Sequence, residues 1–174
     1  MPLPPDPATP DMDDWTQART SWLREPKNDH HREHGLDARR VKEALERADL
    51  AYAKAATDEP SRPCAVVAFR QDWARARAAK VLEEHGYDVR GFDDGADALG
   101  TAAALRPDLL VCEEPLASVP THDLVDWTGR LSPSTRVVVQ VQHVEDVART
   151  VEAGAVVAAP RSTSLEDLVR LVLE

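Results

Sequence analysis

Positive charge is in short supply in this sequence of 174 residues. Lys and Arg total 21 against 31 Asp and Glu, a net charge of −10, which argues against a nucleic-acid-binding footprint. Cysteine is scarcer still. Cys64 and Cys112 are the two present; both sit in apolar runs, have no metal-type spacing and read as reduced core residues rather than a disulfide frame. No apolar run reaches the ~18 residues that a membrane span needs. The N-terminus has no basic start followed by an apolar stretch, so no secretory signal is visible and a cytoplasmic location is expected. Catalytic-triad and nucleotide-loop patterns are also missing; Asp94-Gly95 reads as a turn, not a Gly-rich phosphate cradle. His30 and His34 have the one-turn spacing of paired metal ligands, but the surrounding helix signals are poor and the segment reads as a solvated loop. No metal, cofactor or catalytic residue is expected.

What is present suffices for a buried core, since 43% of the residues are hydrophobic. The organisation changes along the chain. Residues 1–14 hold Pro2, Pro4, Pro5, Pro7 and Pro10 among acidic residues, a composition that forms neither helix nor strand and predicts a disordered tail. Residues 15–59 read as a helical extension. Its first part, Trp15 to Arg24, is a short helix presenting Trp15, Trp22 and Leu23. A second, stronger helix is capped by Asp37 and runs to about Ala56. Val41, Leu45, Ala48, Tyr52 and Ala55 form a two-heptad seam on it, supported by opposite charges four apart such as Arg39 and Glu43. Two heptads are too short to stand alone, so Val41, Leu45 and Tyr52 must dock on the rest of the chain or on a second copy. A linker around Pro60 and Pro63 follows.

From residue 60 to 174 short apolar strands alternate with helical patterns. The strands are predicted at 65–69, 88–92, 109–112, 137–141 and 155–159, and the helices at 73–85, 96–105, 122–131, 144–153 and 165–173. The fourth helix is predicted to turn Val144, Val147, Ala148 and Val151 inward, with Gly154 as its stop. The last helix opens with Thr163 and Glu166 at capping-box spacing. Five strands alternating with helices imply a parallel sheet covered on both faces, and a continuous run such as Leu109-Leu110-Val111-Cys112 suits burial on both sides.

Three segments give this pattern a more specific likeness: Val81-Leu82-Glu83-Glu84-His85-Gly86-Tyr87-Asp88-Val89, Arg106-Pro107-Asp108-Leu109-Leu110-Val111 and Glu152-Ala153-Gly154-Ala155. In order and spacing they resemble the end of the first helix, the third strand and the turn into the fifth strand of a bacterial response-regulator receiver domain. The resemblance covers about 110 residues, from Cys64 to Glu174. It implies an α/β, flavodoxin-like (βα)5 three-layer sandwich with parallel strand order 2-1-3-4-5, preceded by the helical extension, and a crevice beyond the carboxyl ends of strands one and three.

A working receiver places an acidic pair after strand one for Mg²⁺, a phospho-accepting aspartate at the end of strand three, a Thr or Ser after strand four and a Lys after strand five. Aligned on the resemblance, this sequence carries Phe69 and Arg70 at the acidic pair, Glu113 at the acceptor with Glu114 beside it, Val141 at the hydroxyl and Arg161 at the lysine, followed by Ser162. Asp72 is the nearest acid, two positions beyond the pair. A cation where Mg²⁺ belongs, a longer acid at the acceptor and no hydroxyl together predict a degenerate phosphorylation site. Arg70 and Arg161 are expected to pair with Glu113 or Glu114, replacing the metal–phosphate arrangement by an internal salt bridge.

The resulting expectation is a phosphorylation-independent pseudo-receiver: a signalling or scaffolding module, not an enzyme. It would bind protein partners, a homodimer among them, and neither nucleic acid nor membrane. The expected surface is the face of the fourth helix, fifth strand and last helix, with the N-terminal helix second. The sequence stops at the last helix, so no DNA-binding output domain is expected to follow. Two rivals stand beside it. One is a small-ligand sensor with a partly apolar crevice bordered by Phe69, Glu113 and Val141. The other is a true phosphoacceptor using Asp72, Glu113 or Glu114.

Overall fold

A computed structural model describes residues 36–52 and 62–173. The expectations for residues 1–14 and for the helix at 15–24 lie outside the described residues, as does most of the linker before Pro63.

Helix α1 (Ala38–Tyr52) precedes five strand–helix units: β1 (Cys64–Ala68), α2 (Asp72–Glu84), β2 (Asp88–Phe92), α3 (Gly95–Leu105), β3 (Leu109–Glu113), α4 (Thr121–Leu131), β4 (Arg136–Val141), α5 (Asp146–Glu152), β5 (Val157–Pro160) and α6 (Leu165–Leu173). All pairings are parallel, in the order β2-β1-β3-β4-β5. This is the flavodoxin-like sandwich.

The two-residue period of the strands divides the core between the sheet faces. Val66, Ala68, Leu110, Cys112 and Val139 point toward α3 and α4. Ala65, Val67, Leu109, Val111 and Val138 point toward α2 and α6. Every residue of β3 is buried, which is why its sequence runs apolar without alternation.

Helix α1 adds a layer outside α3. Asp37 caps it by accepting from the Arg40 amide at 3.1 Å. Val41, Ala44, Leu45 and Ala48 are buried, and the first three belong to the same core as Leu99 of α3 and Leu124 of α4. The side chain of Tyr52 lies outside the described residues. Helix α3 has no polar face: Ala96, Ala98, Leu99, Thr101 and Ala102 are all buried, because the sheet covers one side and α1 the other. Gly100 marks the closest approach, since a Cβ there would lie 2.6 Å from the Ala44 carbonyl oxygen. Any other residue would push α1 away.

Two local expectations are corrected. Helix α5 is shorter than predicted and differently phased: Val144, Ala148 and Val151 are exposed, while Val147 is half-buried and Thr150 buried. The pattern is misleading because the inward position is a threonine whose hydroxyl donates to the Asp146 carbonyl at 2.8 Å, which removes the cost of burying it. Gly154, at φ +121°, does end this helix. The cap of α6 is Ser164, not Thr163: the Asp167 amide donates to the Ser164 hydroxyl at 3.1 Å, and that hydroxyl donates to the Asp167 carboxylate at 2.8 Å. Glu166 instead binds Arg77 of α2 at 2.7 Å.

Candidate functional site at the carboxyl ends of β1, β3 and β5

Strand order alone creates the site. The chain leaves β1 toward β2 and leaves β3 toward β4, on the other side, so a crevice opens between the two strand ends. Phe69 and Arg70 follow β1, Glu113 ends β3, Val141 ends β4 and Arg161 follows β5. The backbone sets Arg161 in place: its amide donates to the Val141 carbonyl at 3.2 Å.

Glu113 is the centre. Its carboxylate is 8% exposed. One oxygen, Oε1, accepts from the Arg70 amide, with the Arg70 guanidinium Nε 3.9 Å away. The other, Oε2, lies 3.3 Å from Arg161 Nη2. That same Nη2 donates to the Glu114 carbonyl oxygen at 2.9 Å, so Arg161 grips the side chain and the main chain at the end of β3. The Thr121 hydroxyl donates to the Glu113 carbonyl at 3.3 Å. Each oxygen of this buried carboxylate therefore has a donor, which offsets the cost of its desolvation.

Glu114 turns the other way. Its Oε2 accepts from the Gln142 amide at 3.4 Å, and its Oε1 is 3.8 Å from Arg149 Nη2, which also binds Asp146 at 2.8 Å. Glu114 thereby ties β3 to α5. Arg149 has no counterpart in the sequence reading; a lone arginine on a short helix carries no periodic signal.

The other predicted residues fall elsewhere. Phe69 and Val141 are fully buried, on opposite sides of the sheet. Neither exposes an apolar wall, which corrects the expectation of a crevice bordered by them; their side chains follow the strand period into the core. Asp72 points outward, its side chain 93% exposed and paired with Arg75 on its own helix. Cys112, beside Glu113, is inert: burial, reinforced by the Glu113 charge, pushes its thiol up to about 12.

The donor set does not fit Mg²⁺. That ion takes oxygen ligands in a near-octahedral shell. Here the oxygens of Glu113 are occupied by N–H donors and a guanidinium stands beside them. Among the described residues no group of three or more His, Cys, Asp or Glu is placed to hold a metal.

No family model and no curated protein matches the sequence. Solved structures do. The chemotaxis response regulator CheY4 of Vibrio cholerae is 16% identical, with a TM-score of 0.59 over 65% of this chain and 98% of that one. A CheY-like receiver domain protein from Methanospirillum hungatei is 16% identical, with a TM-score of 0.59 over 65% of this chain and 92% of that one. The fold is that of a response-regulator receiver domain. A response regulator from Burkholderia pseudomallei, solved with a phosphorylated aspartic acid, a calcium ion and citrate, is 20% identical, with a TM-score of 0.56 over 62% of this chain and 64% of that one. In the receiver fold described here, β3 ends in Glu113.

Proposed function

We propose that this chain is a pseudo-receiver: a member of the response-regulator receiver family that signals by protein binding and not by accepting a phosphoryl group. The observation that carries this reading is the Glu113 carboxylate, buried and held on one oxygen by the Arg70 amide and on the other by Arg161. Phosphotransfer needs a free carboxylate oxygen, a cation to neutralise the phosphate and a hydroxyl to bind it. Here the oxygens are taken, Arg70 replaces an acid, and the residue at the hydroxyl position is the buried Val141.

In this reading Arg161 fixes the crevice in one state. The module is a non-enzymatic scaffold in which α1 precedes the pseudo-receiver. Its partner is a protein, a second copy being the first to test. The supporting surface is the face of α5, β5 and α6, where Val144, Val151, Val156 and Leu171 are exposed. Val41 and Leu45 are less suited to an outside partner, being buried within this chain. Among the described residues no helix is long and apolar enough to cross a membrane.

Intact-mass measurement after incubation with acetyl phosphate and Mg²⁺ tests the reading. It predicts an unchanged mass. A gain of one phosphate that disappears in Glu113→Gln overturns it.

A further inference from the structure

Seven residues, 114–120, connect the end of β3 to α4, with Pro115 and Pro120 limiting their freedom. The crevice holds one end of this loop. The Glu114 amide donates to the Gln140 carbonyl at 2.9 Å, and the Glu114 carbonyl accepts from Arg161. The other end is held by the start of α3, where the Gly95 amide donates to the Ala117 carbonyl at 3.0 Å, and by α1. The Asp37 amide, at the start of that helix, donates to the Ser118 carbonyl at 2.8 Å. The Ser118 hydroxyl donates to Asp94 Oδ2 at 2.7 Å, and Arg40 Nη2 of α1 lies 3.5 Å from the same oxygen. Asp94 is 7% exposed and also caps α3 through the Ala96 amide at 2.8 Å. Ser118 has φ +68°, a left-handed conformation that a residue with a Cβ adopts at a cost. The bonds from α1 and Asp94 hold it there.

We propose that α1 is a clamp on this loop, so that its docking on α3 and the closed state of the Glu113–Arg161 crevice are coupled. Undocking α1 removes the Asp37 and Arg40 contacts together and leaves Ser118 held by Asp94 alone. The far end of the loop is then held only from the start of α3, and the bonds of Glu114 loosen. Release of a docked helix at the chain's edge is a local opening that leaves the sheet intact. The inference rests on the pseudo-receiver reading in one respect: it supplies the route by which a protein partner competing for α1 is read out at a crevice that phosphate no longer controls. Coupling through such a chain of contacts is reciprocal.

Hydrogen exchange on the full chain tests it. Gly100→Val and Ala44→Glu each force α1 off α3, the second by a substitution within α1 itself. The proposal expects faster exchange across 38–52. It also expects at least tenfold faster exchange at the amides of Glu114 and Val119, with 137–139 of β4 as protected as before. Fast exchange in α1 with Glu114 and Val119 unchanged overturns it. If both variants lose protection in β4, Ser118→Ala probes from the opposite end, removing the hydroxyl bond to Asp94. The amides of Arg40 and Val41 are then expected to exchange faster, and unchanged α1 exchange overturns the proposal. Phosphate uptake in the mass assay would remove the pseudo-receiver reading and leave this exchange result standing.

Discussion

Arg161 Nη2 lies 3.3 Å from Glu113 Oε2, joining the residue after β5 to the last residue of β3 over the end of β4. The pair is asymmetric: the arginine side chain is 43% exposed and the carboxylate 8%. An exposed pair contributes about 0–1 kcal/mol, whereas removing one partner of a buried pair costs about 3–5 kcal/mol. This pair lies between those limits, because Arg161 is half in water and the Arg70 amide still serves Glu113 when Arg161 is gone.

Arg161→Ala is therefore expected to destabilise the protein by about 1–2 kcal/mol. Combined with Glu113→Gln in a double-mutant cycle, it should show coupling of at least about 0.5 kcal/mol in urea unfolding. Zero coupling would mean that the two groups are neighbours without an energetic bond.

Helix α1 shares its core with the sandwich, so its buried side chains should contribute to the stability of the whole. Leu45→Ala, at a site 5% exposed, is expected to cost about 2–5 kcal/mol and to lower the midpoint of one common transition. Limited proteolysis gives the second reading: cleavage within 40–52 should be slow in the wild type. A midpoint left unchanged by Leu45→Ala would contradict the shared core.

Glu166 carries a pH signature. The hydrogen bond from Arg77 holds its carboxyl below the ordinary carboxylate value. A carboxyl depressed in the folded state contributes stability that is present above its ordinary value and is lost as pH falls through the folded midpoint. In Arg77→Gln the Glu166 midpoint, followed by NMR, should move up toward the ordinary value, and acid unfolding should depend less on this residue. An unmoved midpoint would assign the depression to another cause.

The exposed valines on and just before α5 make a prediction about assembly. Val144 is 68% exposed and Val151 45%. If a second copy covers them, sedimentation of the wild type should show concentration-dependent association. Val151→Asp should weaken it at least tenfold with an unchanged circular dichroism spectrum. Association unaffected by Val151→Asp would move the interface elsewhere.

The sheet was legible because its residues serve one purpose. Val66 to Ala68, Leu109 to Cys112 and Val137 to Val139 are buried on both faces, and such runs announce themselves without context. The positions of Glu113 and Arg161 follow from alignment to the strand ends, which the register of β3 with β4 and of β4 with β5 places at the same edge of the sheet, on either side of β4. Where α1 docks was harder. Its seam showed that it needed a partner, and the matching signal lay in α3, whose Ala96-to-Leu105 run has no polar face for solvent. The Asp94–Ser118–Arg40 contacts had no such signal. They depend on a left-handed serine in a loop, and loop hydrogen bonds have no period. The phase of α5 was lost because Thr150 is polar yet buried, its hydroxyl satisfied within its own helix.

The most direct test of the central claim is an amide NMR titration of the full chain with Mg²⁺ and beryllofluoride, which together imitate a bound phosphoryl group. With Glu113 held by Arg70 and Arg161, the amides of Arg70, Glu113, Glu114 and Arg161 should not move beyond the uniform drift caused by added salt. Saturable shifts confined to those amides, abolished by Glu113→Gln, would contradict the account and restore the crevice as a phosphate switch.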